Sequence, residues 1–153
     1  MTRKSAWLLA TLVTVTLPCL GCSSNANKLY GSMSTMYSLS FDRVDILVQE
    51  TSVSIEYVSN TNGYPAQLTV DFANIQDVAG SSIDLTQLDS GQPRGVLQRV
   101  GTVTTDYPIE RGSVTFDQVP QVGSKLSGSF VTTLSNPSGF TLDGDFSATA
   151  KAQ

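Results

Sequence analysis

Apolar side chains alternate with polar ones along much of this chain. The clearest run of apolar residues at even-numbered positions comprises Leu126, Phe130, Leu134, Phe140, Leu142 and Phe146. A period of two places such residues on one face of a β-strand. The intervening segment, residues 135–139, consists of turn-forming residues. The pattern therefore predicts a hairpin in which Leu134 faces Phe140 and the whole apolar set points inward.

Asp143-Gly144, within the second half of this run, is a common two-residue hairpin turn. A turn here would pair Leu142 with Asp145 and drive Phe146 to the outer face. A continuous strand keeps Leu142 and Phe146 on the same face. We therefore expect one long strand, in which Gly144 is either a bulge or a point of close backbone approach.

The same alternation predicts strands upstream. They are expected at residues 30–41, 44–48, 53–57, 68–72, within 94–105 where the parity breaks, and within 112–119. We expect Phe116 to pair with Leu126, which places Asp117 opposite Lys125 on the outer face. No convincing amphipathic helix of three turns interrupts this series. The chain is predicted to be all-β, with seven to eight short strands in a single antiparallel β-sandwich or, alternatively, a small β-barrel.

The start of the chain follows a different pattern. Arg3 and Lys4 precede an apolar stretch at residues 6–17, which Pro18 ends. About a dozen residues are too few to cross a bilayer core of ~30 Å, which needs roughly 20 helical residues. A charged start, a short apolar stretch and a small residue after it are typical of a secretory signal peptide. The alternative of a buried N-terminal helix is disfavoured because the stretch has no polar face.

The leader ends in the sequence LPCLGCSS at residues 17–24. Gly21-Cys22 resembles the lipobox of bacterial lipoproteins, in which a small residue precedes an invariant cysteine. The resemblance implies that the Cys22 thiol receives a diacylglycerol, that the leader is cut before it, and that the new amine is acylated. A serine rather than an aspartate follows the cysteine, which implies anchoring in the outer membrane. Cys19 stands where such sequences usually carry leucine, and the alternative is ordinary cleavage after Ala26 to give a secreted soluble protein.

The chain then divides into a signal peptide at 1–21, an acylated anchor with a short polar tether at 22–28, and a β-sandwich domain at 29–153. The lipid on Cys22 would be its contact with the membrane. The six tether residues after Cys22, residues 23–28, span at most ~20 Å when fully extended. The domain is therefore expected to lie close to the bilayer.

Charge and composition narrow the possible functions. The net charge is −4 at pH 7, which disfavours nucleic acid as a partner. The chain has no histidine, and this excludes Ser-His-Asp and Cys-His catalysis and the commonest metal ligand. With Cys19 in the leader and Cys22 acylated, no cysteine remains for a disulfide. The domain is thus expected to fold without a metal, a cofactor or a disulfide.

Carboxylates are the remaining candidates for chemistry. Asp143 and Asp145, with Asp117, could offer oxygen ligands to calcium, but a calcium loop needs a tight turn rather than an extended strand. Paired carboxylates can also hydrolyse glycosides. No acidic residue lies in a recognisable catalytic context, so solvated surface carboxylates are the expected interpretation.

Two aromatic residues are better candidates for contact. Tyr64-Pro65 and Tyr107-Pro108 both fall in turn-rich segments, where loops often carry function. A ring beside a rigid proline can stack on a sugar or fill a partner's pocket, and the alternative is that it packs back over the end of the domain. Tyr64 and Tyr107 are therefore the predicted contact residues.

Three arginines allow a further interpretation. Arg94, Arg99 and Arg111 form either a small cationic patch for an anionic group or part of a solvated surface.

Together these patterns predict a non-enzymatic cell-envelope lipoprotein with a structural or protein-binding accessory role. A module that binds a glycan or a small ligand is the alternative, and a carboxylate-dependent hydrolase is the least expected. An apolar or tyrosine-lined groove would favour ligand binding. A flat exposed strand edge would favour protein binding, because such edges invite strand addition.

Overall fold

A computed structural model describes residues 27–78, 80–89 and 91–153. The predicted signal peptide, Cys22 and most of the tether lie outside these residues. The described part is mostly β, with two short 3-10 helices at Ser32–Thr35 and Ile75–Asp77. Its strands are β1 (Lys28–Tyr30), β2 (Arg43–Val48), β3 (Ser52–Ser59), β4 (Gly63–Asp71), β5 (Ser82–Asp84), β6 (Leu88–Asp89), β7 (Gln92–Pro93), β8 (Gly95–Val100), β9 (Thr104–Tyr107), β10 (Ile109–Phe116), β11 (Lys125–Leu134) and β12 (Asp143–Ala152).

The all-β prediction is confirmed. Strands β2, β3, β4, β8, β10, β11 and β12 each have six or more residues, and the other described strands have two to four. No helix in the described residues is long and apolar enough to cross a bilayer.

One large sheet curls into a half-barrel. Its strand order is β5-β10-β11-β12-β2-β3-β4-β8-β9, and β1 pairs with the first residues of β12. Strands β12 and β2 run parallel, so the prediction of a purely antiparallel sheet is wrong at this pair. Strand β11 pairs along one edge of β12. On the other edge, β1 pairs with residues 143–145 of β12, and β2 pairs with residues 150–152.

The main chain of Leu85 connects strands from opposite ends of this order. Its N–H donates to the carbonyl of Gly112 in β10 at 3.0 Å. Its carbonyl accepts from the N–H of Gly95 in β8 at 2.8 Å. The curled sheet therefore brings β10 and β8 to either side of one residue.

The hydrophobic core lies on the inner face of the curl and is rich in aromatic rings. Phe116 and Phe146 have centroids 5.6 Å apart, and Tyr57 and Phe130 meet edge to face at 6.1 Å. The Tyr57 hydroxyl donates to the carbonyl of Asp145 at 2.9 Å, which satisfies its buried polar atom.

The predicted hairpin is confirmed in register and in orientation. The Leu134 N–H donates to the Phe140 carbonyl at 2.8 Å, and β11 and β12 continue in the same register. Leu142 and Phe146 are both buried on the inner face, so the chain does not turn at Asp143-Gly144. Phe140 is partly buried and packs against the core.

The predicted pairing of Phe116 with Leu126 is wrong by two residues. Phe116 pairs with Gly128, and Gly128 in turn pairs with Phe146 on β12. A side chain at Gly128 would collide with the Phe146 ring and the Thr115 carbonyl. The glycine therefore leaves room for the two phenylalanine rings to meet, and a two-residue shift keeps every apolar side chain on its face.

That shift also removes the expected pairing of Asp117 with Lys125. The Asp117 carboxylate instead accepts a hydrogen bond from the Ser127 hydroxyl at 2.6 Å.

The single strand predicted at residues 30–41 is also wrong. Strand β1 ends at Tyr30, and Gly31 has a φ of 131°, which L side chains rarely adopt. The chain then enters a 3-10 helix whose Ser34 and Thr35 hydroxyls donate to the carbonyls three residues before them. Met33 on this helix is buried against the core.

A polar row crosses the outer face of β2, β3 and β4. Glu56 pairs with Asp45 on β2 and with Gln67 on β4, and its carboxylate accepts a hydrogen bond from Gln67 Nε2 at 2.9 Å. Asp45 is itself bound by Arg43 Nε at 2.9 Å and Lys151 Nζ at 2.7 Å. Burial, and then the charge of Asp45, raise the pKa of the Glu56 carboxyl.

We expect Glu56→Gln to stabilise the domain at neutral pH. The folded-state pKa lies above the ordinary value of 4.5, so stability is lost as the pH rises from that value through the folded-state pKa. Glutamine keeps the Oε1 acceptor for Gln67 and cannot ionise. Thermal unfolding should show a higher Tm for the variant at pH 7, and the gain should disappear below pH 4.5. Glu110→Gln, at an exposed position on β10, is the control, and an equal gain there would contradict this account.

Candidate functional site

Tyr107 is the predicted contact residue that lies in a cleft. It ends β9, and its ring lies nearly parallel to that of Tyr37, with centroids 6.3 Å apart and planes 9° apart. Both rings pack against the edge of the core. The sequence placed Tyr107 in a turn-rich segment, but the strand β9 holds it in position.

Tyr64, the other predicted contact residue, lies elsewhere. It belongs to β4, where it pairs with Val100 of β8, and the turn predicted around it is confined to residues 60–62. Tyr64 is not among the residues that line the Tyr107 cleft. The structure therefore does not bring the two predicted tyrosines into one site.

Tyr37 contacts strands β4 and β8 at the cleft, the first through its hydroxyl group and the second through its ring. Its hydroxyl donates to the Pro65 carbonyl at 3.1 Å, and the Arg99 guanidinium carbon lies 4.4 Å from its ring centroid. Burial, and then the neighbouring Tyr107, raise the pKa of Tyr37, so it stays a neutral donor and its ring offers a π face to the cation.

The Tyr107 cleft has a volume of about 390 Å³, within the range of small-molecule sites. One wall comes from β8 and β9, and the other comes from the first 3-10 helix and the loop after β11. The residues that line it are mainly apolar or aromatic: Met33, Met36, Tyr37, Arg99, Tyr107, Asn136, Pro137, Ser138 and Phe140. A few polar groups among apolar walls are typical of ligand pockets.

Tyr37, Met33 and Met36 were missed as site residues because residues 30–41 were predicted to be a strand. Their spacing of three and four residues is helical rather than alternating. That spacing was the available signal for the 3-10 helix, which contains Met33 and is followed directly by Met36 and Tyr37.

A larger polar groove of about 630 Å³ lies over β10, β11 and the start of β12. Its two carboxylates already have partners. Asp143 accepts from the Thr132 N–H at 2.9 Å, and Asp84 accepts from the N–H and hydroxyl of Thr86 at 2.8 and 2.7 Å. These hydrogen bonds from Thr86 lower the pKa of Asp84, which makes it a poor general acid.

The three arginines line three different clefts rather than one cationic patch. Arg99 lies in the Tyr107 cleft, Arg111 lies in the polar groove, and Arg94 lies in a third cleft of about 370 Å³. The Arg94 Nε is buried and has no hydrogen-bond partner in the described part of the chain. The three arginines therefore do not act together on one anionic group.

Asp143 and Asp145 share the outer face of the extended β12, as the sequence predicted. Within residues 27–78, 80–89 and 91–153, no group of three histidine, cysteine, aspartate or glutamate side chains is placed to hold a metal ion. Comparisons with protein-family models, curated proteins and solved structures give no match to this chain.

Proposed function

We propose that this chain is an outer-membrane lipoprotein, anchored through Cys22, whose β domain binds a small ligand in the Tyr107 cleft and catalyses no reaction. The observation that carries the proposal is the cleft itself, in which parallel tyrosine rings, two methionines and one stacked arginine form a concave, mainly apolar site. Such a groove favours the ligand-binding alternative over the structural accessory that the sequence put first.

The curl of the sheet supports the small-barrel alternative for the fold. Leu85 connects β10 and β8 by main-chain hydrogen bonds, as the closing segment of a barrel would. The mouth of a small β-barrel is a common place for a ligand site. Arg99 and Tyr107 belong to the paired strands β8 and β9, which provide one wall of the Tyr107 cleft.

Native mass spectrometry of the protein extracted from its own membranes tests both parts of the proposal. The wild-type chain should carry an acylated N-terminal cysteine at Cys22 and a co-purified small molecule. Cys22→Ser should abolish the acyl mass and release or mislocalise the chain. Tyr107→Ser should keep the acyl group and lose the small molecule, because it removes an aromatic ring from one wall of the cleft.

An unmodified N-terminus at Asn27 would overturn the anchor. A wild-type protein with no bound molecule under any extraction condition would overturn the binding function. Tyr64→Ser is the matched control, since Tyr64 lies outside the Tyr107 cleft. This variant should keep both the acyl group and the bound small molecule.

Protein binding at the edge of the sheet is the second candidate. Strand β9 ends the sheet order, and Thr104, Thr105 and Asp106 are exposed on it. A photo-crosslinking residue at Thr104 that captures one envelope protein in stoichiometric amount would favour this candidate. If the cleft is the functional site, crosslinking from Thr104 should capture no such protein.

A further inference from the structure

We infer that the ligand of the Tyr107 cleft is an amphipathic anion, a carboxylate carried on a short apolar body. This inference rests on the proposed binding function and names the chemical class of its ligand. The juxtaposition that carries it is a stacked guanidinium, free of carboxylate partners, beside a wall of methionine and phenylalanine.

Arg99 places a positive charge in the Tyr107 cleft. No carboxylate is among the described residues that line the cleft, and none in the described part of the chain lies at ion-pair distance from the Arg99 guanidinium. Asp106 pairs with Gln98 rather than with Arg99 across β8 and β9, and its carboxylate accepts a hydrogen bond from Gln98 Nε2 at 2.7 Å. In a chain with a net charge of −4, this unneutralised cation marks a site for an anion.

The guanidinium is also positioned in advance. Its carbon lies 4.4 Å from the Tyr37 ring centroid, and the Tyr37 hydroxyl is tied to the Pro65 carbonyl. A guanidinium held over a ring by a cation–π contact makes no N–H···O hydrogen bond there, so its N–H donors stay available. These donors match the geometry of a carboxylate, which they can bind through two parallel hydrogen bonds.

The rest of the cleft suits an apolar body. On the wall opposite Arg99, Met33 is buried, Met36 is 63% exposed and Phe140 is half-buried. Methionine side chains are flexible and adapt to apolar groups of different shape. The cleft volume of about 390 Å³ limits the ligand to a small molecule.

Octanoate and octanol are matched probes for this inference, because they share the apolar chain and differ in charge. The sequence contains three methionines, Met1, Met33 and Met36, and two of them line the cleft. The ¹³C-methyl signals of Met33 and Met36 in the full chain, held in lipid nanodiscs, therefore report on the cleft. We expect octanoate to shift both signals with an affinity about tenfold or more above that of octanol.

Arg99→Gln should remove this preference by weakening octanoate about tenfold and leaving octanol unchanged. Unchanged octanol binding shows that the variant cleft is still folded. Arg94→Gln, which changes an arginine in a different cleft, should leave both affinities as in the wild type. Arg99→Lys keeps the charge but not the paired donors, so it should retain only part of the preference.

The outcomes distinguish failure of the anionic ligand from failure of the binding function. Equal binding of octanoate and octanol by the wild-type chain would overturn the anionic ligand and leave the binding function standing. Failure of both probes to shift the Met33 and Met36 signals would overturn the amphipathic ligand class, whereas the proposed binding function would fall only if no native small molecule is found.

Discussion

Replacement of Phe146 by alanine should nearly unfold the domain. Phe146 is 1% exposed, and its ring meets Phe116 at 5.6 Å in the centre of the core. Truncating a buried phenylalanine to alanine typically costs ~3–5 kcal/mol, against a total domain stability of ~5–15 kcal/mol. Urea unfolding of the variant should show a midpoint shifted far toward zero denaturant.

Asp145→Ala is the control for this experiment because it changes the adjacent residue on the opposite face. Its main-chain carbonyl, which accepts the Tyr57 hydroxyl at 2.9 Å, remains in place. The free energy of unfolding should therefore change little. A large loss for Asp145→Ala and a small one for Phe146→Ala would mean that β12 presents the other face to the core.

Gly144→Ala should destabilise the domain by about 1–3 kcal/mol through overpacking. Gly144 pairs with Phe130 on β11, and an added Cβ would lie 2.5 Å from the Phe130 ring and close to the Tyr57 hydroxyl. Thermal unfolding should detect the loss as a lower Tm. Gly101→Ala is the control, since the nearest atom to its added Cβ is at an ordinary 3.7 Å.

A second substitution identifies the cause of this loss. Tyr57→Phe removes the hydroxyl that the new methyl group would meet, so the double variant should lose less stability than the sum of the two single variants. Non-additivity of this kind is expected for residues in contact. Strict additivity would show that the Tyr57 hydroxyl does not resist the added methyl group.

The last hairpin was predictable from the sequence because parity and a turn signal agree there. Leu134 and Phe140 flank a segment of turn-forming residues, and the large apolar residues from Leu126 to Phe146 have the same parity except Val131, which is exposed. The pairing of Phe116 was not predictable to the residue. A register shift of two residues keeps every side chain on the same face of the strand, so the apolar pattern cannot distinguish Leu126 from Gly128 as the partner of Phe116. The pairing with Gly128 is favoured because it allows Phe116 to contact Phe146 on a third strand, β12.

The candidate site was predictable only in part. Tyr107 was identified because proline follows it in a turn-rich segment. The cleft also needs Tyr37, Arg99 and Phe140, which come from segments far apart in the sequence. Their meeting depends on the curl of the sheet, which leaves no period in the sequence, and on the 3-10 helix after β1, whose signal is the spacing of Met33, Met36 and Tyr37.

The place of β12 in the sheet bears on when the chain can fold. β12 comes last in chain order, yet it lies between β11 on one edge and β1 and β2 on the other. During synthesis β11 and β2 therefore lack the strand that lies between them, and the core is incomplete without Phe146. Long-range pairing of this kind also slows folding. For a chain with the secretory leader proposed above, this strand order delays completion of the sheet until the segment that forms β12 has been made.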